Sequence, residues 1–267
     1  MSAYTPPPDT PYVPPRPDAP YEADVAQATA RATWRWWEVI ALTLGGFVLG
    51  AVASTPVFIA LGGQTSDRMD GAGAAAAAVT YLVLAATLLV WLQVAHKGWW
   101  RAVGWPARGK RLRETAVGVG LGLVSQVGVT AFAALATFIL ATLAGRSVEV
   151  PPQVQSTLTG WEAVALVVYA VIVAPPTEEL IFRGLLFHSV ADRHGFWAGT
   201  AASAIPFGLI HVIPGAALGV GVLVFTMMVT GVVWAWIHRR RRNLLVNIAI
   251  HASFNAVGVL VVLGLVV

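Results

Sequence analysis

The chain has 267 residues, 57% of them apolar and 11% charged, with a net charge of +4 and no cysteine. A soluble domain carries about 25% charged residues, so an ordinary soluble core is excluded and the excess apolar surface must face lipid. The missing cysteine excludes disulfides, thiolate metal sites and thiol nucleophiles.

Residues 1–33 hold eight prolines before Tyr21 and no apolar run. No cleavable signal pattern opens them, and they read as a disordered, partly polyproline-II cytoplasmic tail. Residues 34–267 read as the membrane domain. A span needs about 20 mostly apolar residues. Seven segments qualify, at about residues 37–61, 74–95, 115–144, 163–190, 196–213, 216–237 and 244–266. The expected fold is therefore all-α, a polytopic transmembrane helix bundle of about seven spans. Trp34, Trp36, Trp37, Trp99 and Trp100 stand at span ends, as an aromatic belt requires. The fourth segment is interrupted by Pro175-Pro176. It is either one helix or two, the second starting at Pro176 or Thr177.

Orientation follows from the basic residues. With the N-terminus cytoplasmic, the inner segments hold Arg16, Arg31, Arg35, Lys97, Arg101, Arg108, Lys110, Arg111, Arg113, Arg193 and Arg239 to Arg242, while the outer loops hold only Arg68 and Arg146. Basic residues placed between apolar runs suit a membrane and not nucleic acid.

Ionisable residues inside spans are costly and need a reason. The fourth segment carries Glu178, Glu179, Arg183 and His188, the fifth His211, and the seventh His251 with Asn255 one turn on. At 1.5 Å per residue, His251, Glu178 and His211 lie roughly 12, 18 and 22 Å from the inner ends of their segments. In a core about 30 Å thick, these depths converge on one polar cavity between segments four, five and seven. Glu179 and Arg183 are four apart and can pair, which turns Glu178 about 100° away from that pair. Phe207 and His211 share a face in the same manner, as do His251 and Asn255. A carboxylate, two imidazoles and an amide are suited to attack of an activated water on a peptide carbonyl. Ser253 lies on another face from His251. His188 and His194 fall near the inner interface and are set aside as non-catalytic.

Glu178-Glu179-Leu180-Ile181-Phe182-Arg183 fits E-E-x-x-x-R, Phe207 to His211 fits F-x-x-x-H, and His251 to Asn255 fits H-x-x-x-N. In this order on membrane helices, over residues 163–255, the motifs resemble the CAAX-protease and bacteriocin-processing (CPBP, or Abi) family of intramembrane proteases. The resemblance implies an intramembrane endopeptidase acting on a peptide or protein substrate within or beside the lipid bilayer. It casts Glu178 as the base that activates water, His211 as its partner in holding water or a metal, and His251 and Asn255 as oxyanion-stabilising residues. Glu179, Arg183 and Phe207 are supporting residues. Two mechanisms stay open. One uses a divalent metal such as Zn2+, with Glu178, His211 and His251 as candidate ligands; the other uses glutamate-activated water alone. No H-E-x-x-H helix is present. Two other functions could use the same residues, a non-catalytic immunity or scaffold protein and a proton-coupled transporter. The absence of an internal repeat argues against the transporter. The expected location is a bacterial cytoplasmic membrane.

Overall fold

The computed structural model describes residues 30–64, 69–154 and 158–265. The proline-rich tail up to residue 29 and Arg68 lie outside the described residues. Eight helices follow in order: α1 Trp36–Ala60, α2 Gly71–Ala95, the single turn α3 Trp99–Ala102, α4 Arg111–Ala144, α5 Trp161–His194, α6 Phe196–Leu209, α7 Ala217–Arg241 and α8 Leu244–Val262. Six of them, all except α3 and α6, are long and apolar enough to cross a membrane.

The helix ends have local causes. Asp70 caps α2 by accepting the Gly73 N–H at 2.6 Å, and Asn243 caps α8 by accepting that of Val246 at 3.3 Å. Both caps satisfy N–H groups that have no partner within the helix. Gly145 closes α4 at φ 63°, a conformation glycine adopts without penalty.

The bundle is built from pairs, with α1 along α2, α4 along α8 and α6 along α7. Small residues permit the close approach. A Cβ at Gly118 of α4 would stand 2.5 Å from the Ala249 Cβ and 2.6 Å from the Val246 oxygen of α8. The outer faces stay apolar: Leu44, Val48 and Val52 of α1 and Val124 and Val127 of α4 are all exposed, as a lipid-facing surface should be.

α5 threads the middle and touches α1, α2, α6, α7 and α8. Every residue from Thr177 to Ser189 is buried. A helix buried on all faces gains apolar contacts all round, and here it can also carry charge away from lipid. The helix runs unbroken through Pro175 and Pro176, so the two-helix alternative does not apply. The prolines are accommodated by a π-helical stretch, Val168–Val173, just ahead of them, and a second one follows at Leu180–Phe187. Widened turns of this kind absorb a missing N–H without ending the helix.

The fifth expected span is shorter than expected. α6 has 14 residues and stops at Leu209, so His211 sits in the turn beyond it and not on the helix. Pro214 disfavours helical conformation in the residue before it, and the chain opens into that turn through Ile210, His211 and Val212.

Two outcomes follow. In cells, a membrane-impermeant maleimide added outside should label Arg146→Cys and leave Gly109→Cys unlabelled; the reverse pattern would invert the orientation. Gly118→Val should lower stability by about 1–3 kcal/mol, read as a fall in the melting temperature of the detergent-solubilised protein.

Candidate active site

The polar residues of α5 and α8 meet inside the bundle. Glu179 and Arg183 are both fully buried, and the Arg183 Nη1 donates to Glu179 Oε1 at 2.9 Å. The same oxygen takes a hydrogen bond from His251 Nδ1, also 2.9 Å. Because the carboxylate is paired with Arg183, it is the acceptor in this contact, so Nδ1 carries the hydrogen. In the neutral ring Nε2 then holds the lone pair, and it lies 3.8 Å from Glu178 Oε2.

Arg183 is also covered by aromatic faces. Its guanidinium lies 4.3 Å from the Phe207 ring centroid and 5.3 Å from that of Trp234. Cation–π attraction is strongest where water is excluded, and these rings stabilise the part of the cation that no carboxylate reaches. Trp234 stands 4.9 Å from the His251 ring and Phe207 stands 5.8 Å from it. The imidazole is held on two sides by rings and at Nδ1 by a carboxylate.

Glu178 faces away from this ion pair, as the helical spacing predicts. Its Oε1 accepts the Tyr81 hydroxyl hydrogen at 3.1 Å. Tyr81 comes from α2, outside every motif, and packs edge-to-face on Tyr169 with centroids 5.4 Å apart. Oε1 is therefore engaged from α2, while Oε2 is the oxygen turned toward His251.

His211 is half-buried and joins the cluster through Phe207. Its Nδ1 donates to the Phe207 carbonyl at 2.7 Å, and its ring lies 5.2 Å from that of Phe207. With Nδ1 protonated, the neutral ring again keeps its lone pair on Nε2. Asn255 has a different local task. Its Nδ2 donates to the Ala170 carbonyl at 2.8 Å. In a π turn that carbonyl would receive the N–H five residues on, which here belongs to Pro175 and does not exist. Asn255 supplies the missing hydrogen bond and keeps its second amide N–H for other use. Ser253 turns away, donating to the Ala249 carbonyl at 2.8 Å.

The structure thus brings Glu178, Glu179, Arg183, Phe207 and His251 into contact, with His211 and Asn255 at the edge of the group. Tyr81, Tyr169 and Trp234 are additions that no motif marked. A tyrosine within an apolar span was the one available signal, since a buried hydroxyl needs a partner. The candidate metal ligands Glu178, His211 and His251 do not converge as a set of three. Among the described residues, no group of three or more His, Asp or Glu side chains could hold a metal ion.

A second polar network lies toward the inner face. His188 and His238 approach at 3.0 Å between their Nε2 atoms. His238 Nδ1 faces Asn247 Oδ1 at 3.1 Å, and Asn247 Nδ2 donates to the Trp234 carbonyl at 3.1 Å. His188 lies 3.6 Å from Asp192. The network ties α5, α7 and α8 together behind Trp234.

Residues 160–257 match the family model described as Type II CAAX prenyl endopeptidase Rce1-like. That segment of the chain is similar to the Rce1-like family. It runs from the residue before α5 into α8 and contains all three motifs, in agreement with the resemblance drawn from them. Helices α1 to α4, Tyr81 included, lie outside the Rce1-like segment. No curated protein and no solved structure matches the chain. With six helices long and apolar enough to cross a membrane, the protein is an integral membrane protein, and its likeness to the protease family covers residues 160–257.

The buried pair predicts an asymmetry in stability. Arg183→Met alone strands the Glu179 carboxylate and should cost about 3–5 kcal/mol, whereas Glu179→Leu combined with Arg183→Met should restore most of that loss. Thermal unfolding of the three proteins side by side measures the difference.

Proposed function

We propose that the protein is an endopeptidase that hydrolyses a peptide bond of a membrane-associated peptide or protein through water activated by Glu178. The observation that carries this reading is the placing of Glu178 Oε2 against His251 Nε2, with Oε1 already engaged by Tyr81. A water seated between the two atoms has an acceptor on each side. As its oxygen attacks the scissile carbonyl carbon, one O–H bond breaks and the proton passes to Glu178. Collapse of the tetrahedral intermediate breaks the C–N bond, and Glu178 returns the proton to the leaving amine.

The other residues orient the reacting groups. Glu179, itself fixed by Arg183, sets the tautomer and angle of His251. Tyr81 sets which oxygen of Glu178 faces the water. The second amide N–H of Asn255 is the donor we assign to the developing oxyanion. His211, with Nε2 available, is the candidate second contact to water or substrate. All steps use side chains of this chain. No step is assigned to a divalent metal such as Zn2+, because among the described residues no group of three His, Asp or Glu side chains could hold one. We place the activity in the bacterial cytoplasmic membrane, with the catalytic group reached from the bilayer or its inner face.

The first test is cleavage of a fluorogenic lipidated-peptide panel by the detergent-purified protein, with and without chelator. Glu178→Ala and Glu178→Gln should each abolish turnover; cleavage equal to wild type would overturn the assignment of Glu178. A scaffold would tolerate Glu178→Gln, and a transporter would lose proton flux in liposomes instead. Loss of wild-type cleavage on chelation would establish a metal requirement and replace the metal-free steps. Tyr81→Phe, which removes one oxygen only, should lower kcat by about tenfold, equal to about 1.4 kcal/mol of transition-state stabilisation, and leave KM unchanged.

A further inference from the structure

Cations gather where α1 begins and α5 ends. Arg35, Trp36, Trp37, Ser189, Arg193 and His194 line a pocket of about 360 Å3. Its walls are fastened together. The Ala32 N–H donates to Asp192 Oδ2 at 2.8 Å, Arg193 Nη2 reaches the Ala32 carbonyl at 3.5 Å, and the Trp34 indole donates to the Leu185 carbonyl at 3.0 Å. The stretch before α1 is thereby held on the inner end of α5, and the space between them has a defined shape.

One carboxylate stands beside the pocket: Glu38 Oε2 accepts the backbone N–H of Arg35 at 2.5 Å, and among the described residues it makes no ion pair with the Arg35 guanidinium. Asp192 is spent on the Ala32 N–H and on His188. Among the described residues, no carboxylate pairs with Arg193 or His194. The hydrogen bonds of Arg193 go to backbone carbonyls, those of Ser189 at 2.7 Å and of Ala32, which use donors and leave the positive charge unneutralised. The nearby run Arg239 to Arg242 is more occupied: Arg241 pairs with Glu114 at 2.7 Å, Arg239 lies over Phe196 and Arg240 over Trp236.

The ligand follows from the lining. Two guanidinium groups and an imidazole match the oxygens of a phosphate, the anion that arginine binds through paired N–H groups. Trp36 and Trp37 are each 51% exposed at the end of a spanning helix, where indoles sit at headgroup level and touch the glycerol and upper chain of a lipid. The distribution of basic residues puts this end on the inner side, where anionic lipids attract cations. The volume lies within the range of small-molecule sites, about 300–1,000 Å3. We propose that this pocket binds the phosphate headgroup of an anionic phospholipid of the inner leaflet. The site is independent of the hydrolytic chemistry.

Native mass spectrometry of the intact, detergent-released protein tests it, with phosphatidylglycerol and phosphatidylcholine as probes. The wild type should retain phosphatidylglycerol in preference to phosphatidylcholine. Arg35→Gln and Arg193→Gln should each weaken that preference by about fivefold, the ratio that corresponds to about 1 kcal/mol per basic residue. Arg35 makes none of the contacts that fasten Ala32, so its variant keeps the test valid if Arg193→Gln disturbs the fold. Arg240→Gln should leave the preference intact, and an excess of soluble glycerol 3-phosphate should not displace the lipid. Equal retention of the two lipids would overturn the proposal. Equal loss in Arg240→Gln would assign the effect to diffuse surface charge, and displacement by glycerol 3-phosphate would assign the pocket to a soluble phosphate; each overturns it as well.

Discussion

The rest of the structure depends on one ion pair, Glu179 with Arg183, buried inside a membrane bundle. A charge in that setting is tolerable only when paired and shielded from hydrocarbon. Glu179 Oε1 meets both Arg183 and His251 at 2.9 Å, and the uncompensated part of the arginine is covered by Phe207 and Trp234. Four helices therefore have to converge on a single point: α5 supplies the ion pair, α8 the imidazole, and α6 and α7 the rings. Burial of α5 on every side from Thr177 to Ser189 is the architectural consequence.

That arrangement separates two carboxylates that are neighbours in the chain. Glu179 is committed to holding His251, and so its geometry is rigid. Glu178, a hundred degrees further round the helix, keeps one oxygen for Tyr81 and one facing Nε2 of the held imidazole. One acid holds the imidazole, and the other is the one we propose to react. The two prolines belong to the same design. They remove backbone donors just ahead of Glu178, and the side chain of Asn255 from α8 fills the gap at Ala170. The residue proposed to face an oxyanion also locks the backbone that carries Glu178, the proposed base.

Much of this was legible in the residues. The membrane class follows from composition, and the all-helical fold follows because an isolated span has no other means of satisfying its backbone. The pairing of Glu179 with Arg183 and the divergence of Glu178 follow from 3.6 residues per turn. The chemistry-bearing residues could be found because charge and imidazole are rare where lipid is the solvent. Less legible were the length of α6, which its apolar composition extends to residue 213 but whose backbone ends at Leu209 ahead of Pro214, and the continuity of α5 through two prolines, which depends on widened turns that no composition marks.

The sequence by itself determined which groups are available and, for Glu178 and His251 on continuous helices, how far along its span each lies, since helical rise sets that value within one chain segment. Only the tertiary structure decided their partners. It gave the second contact of Glu179 to His251, brought Tyr81 from α2 onto Glu178, and set Trp234 against both Arg183 and His251. These contacts join residues up to 97 positions apart, and a periodicity read within one helix holds no information about which face of another helix will meet it.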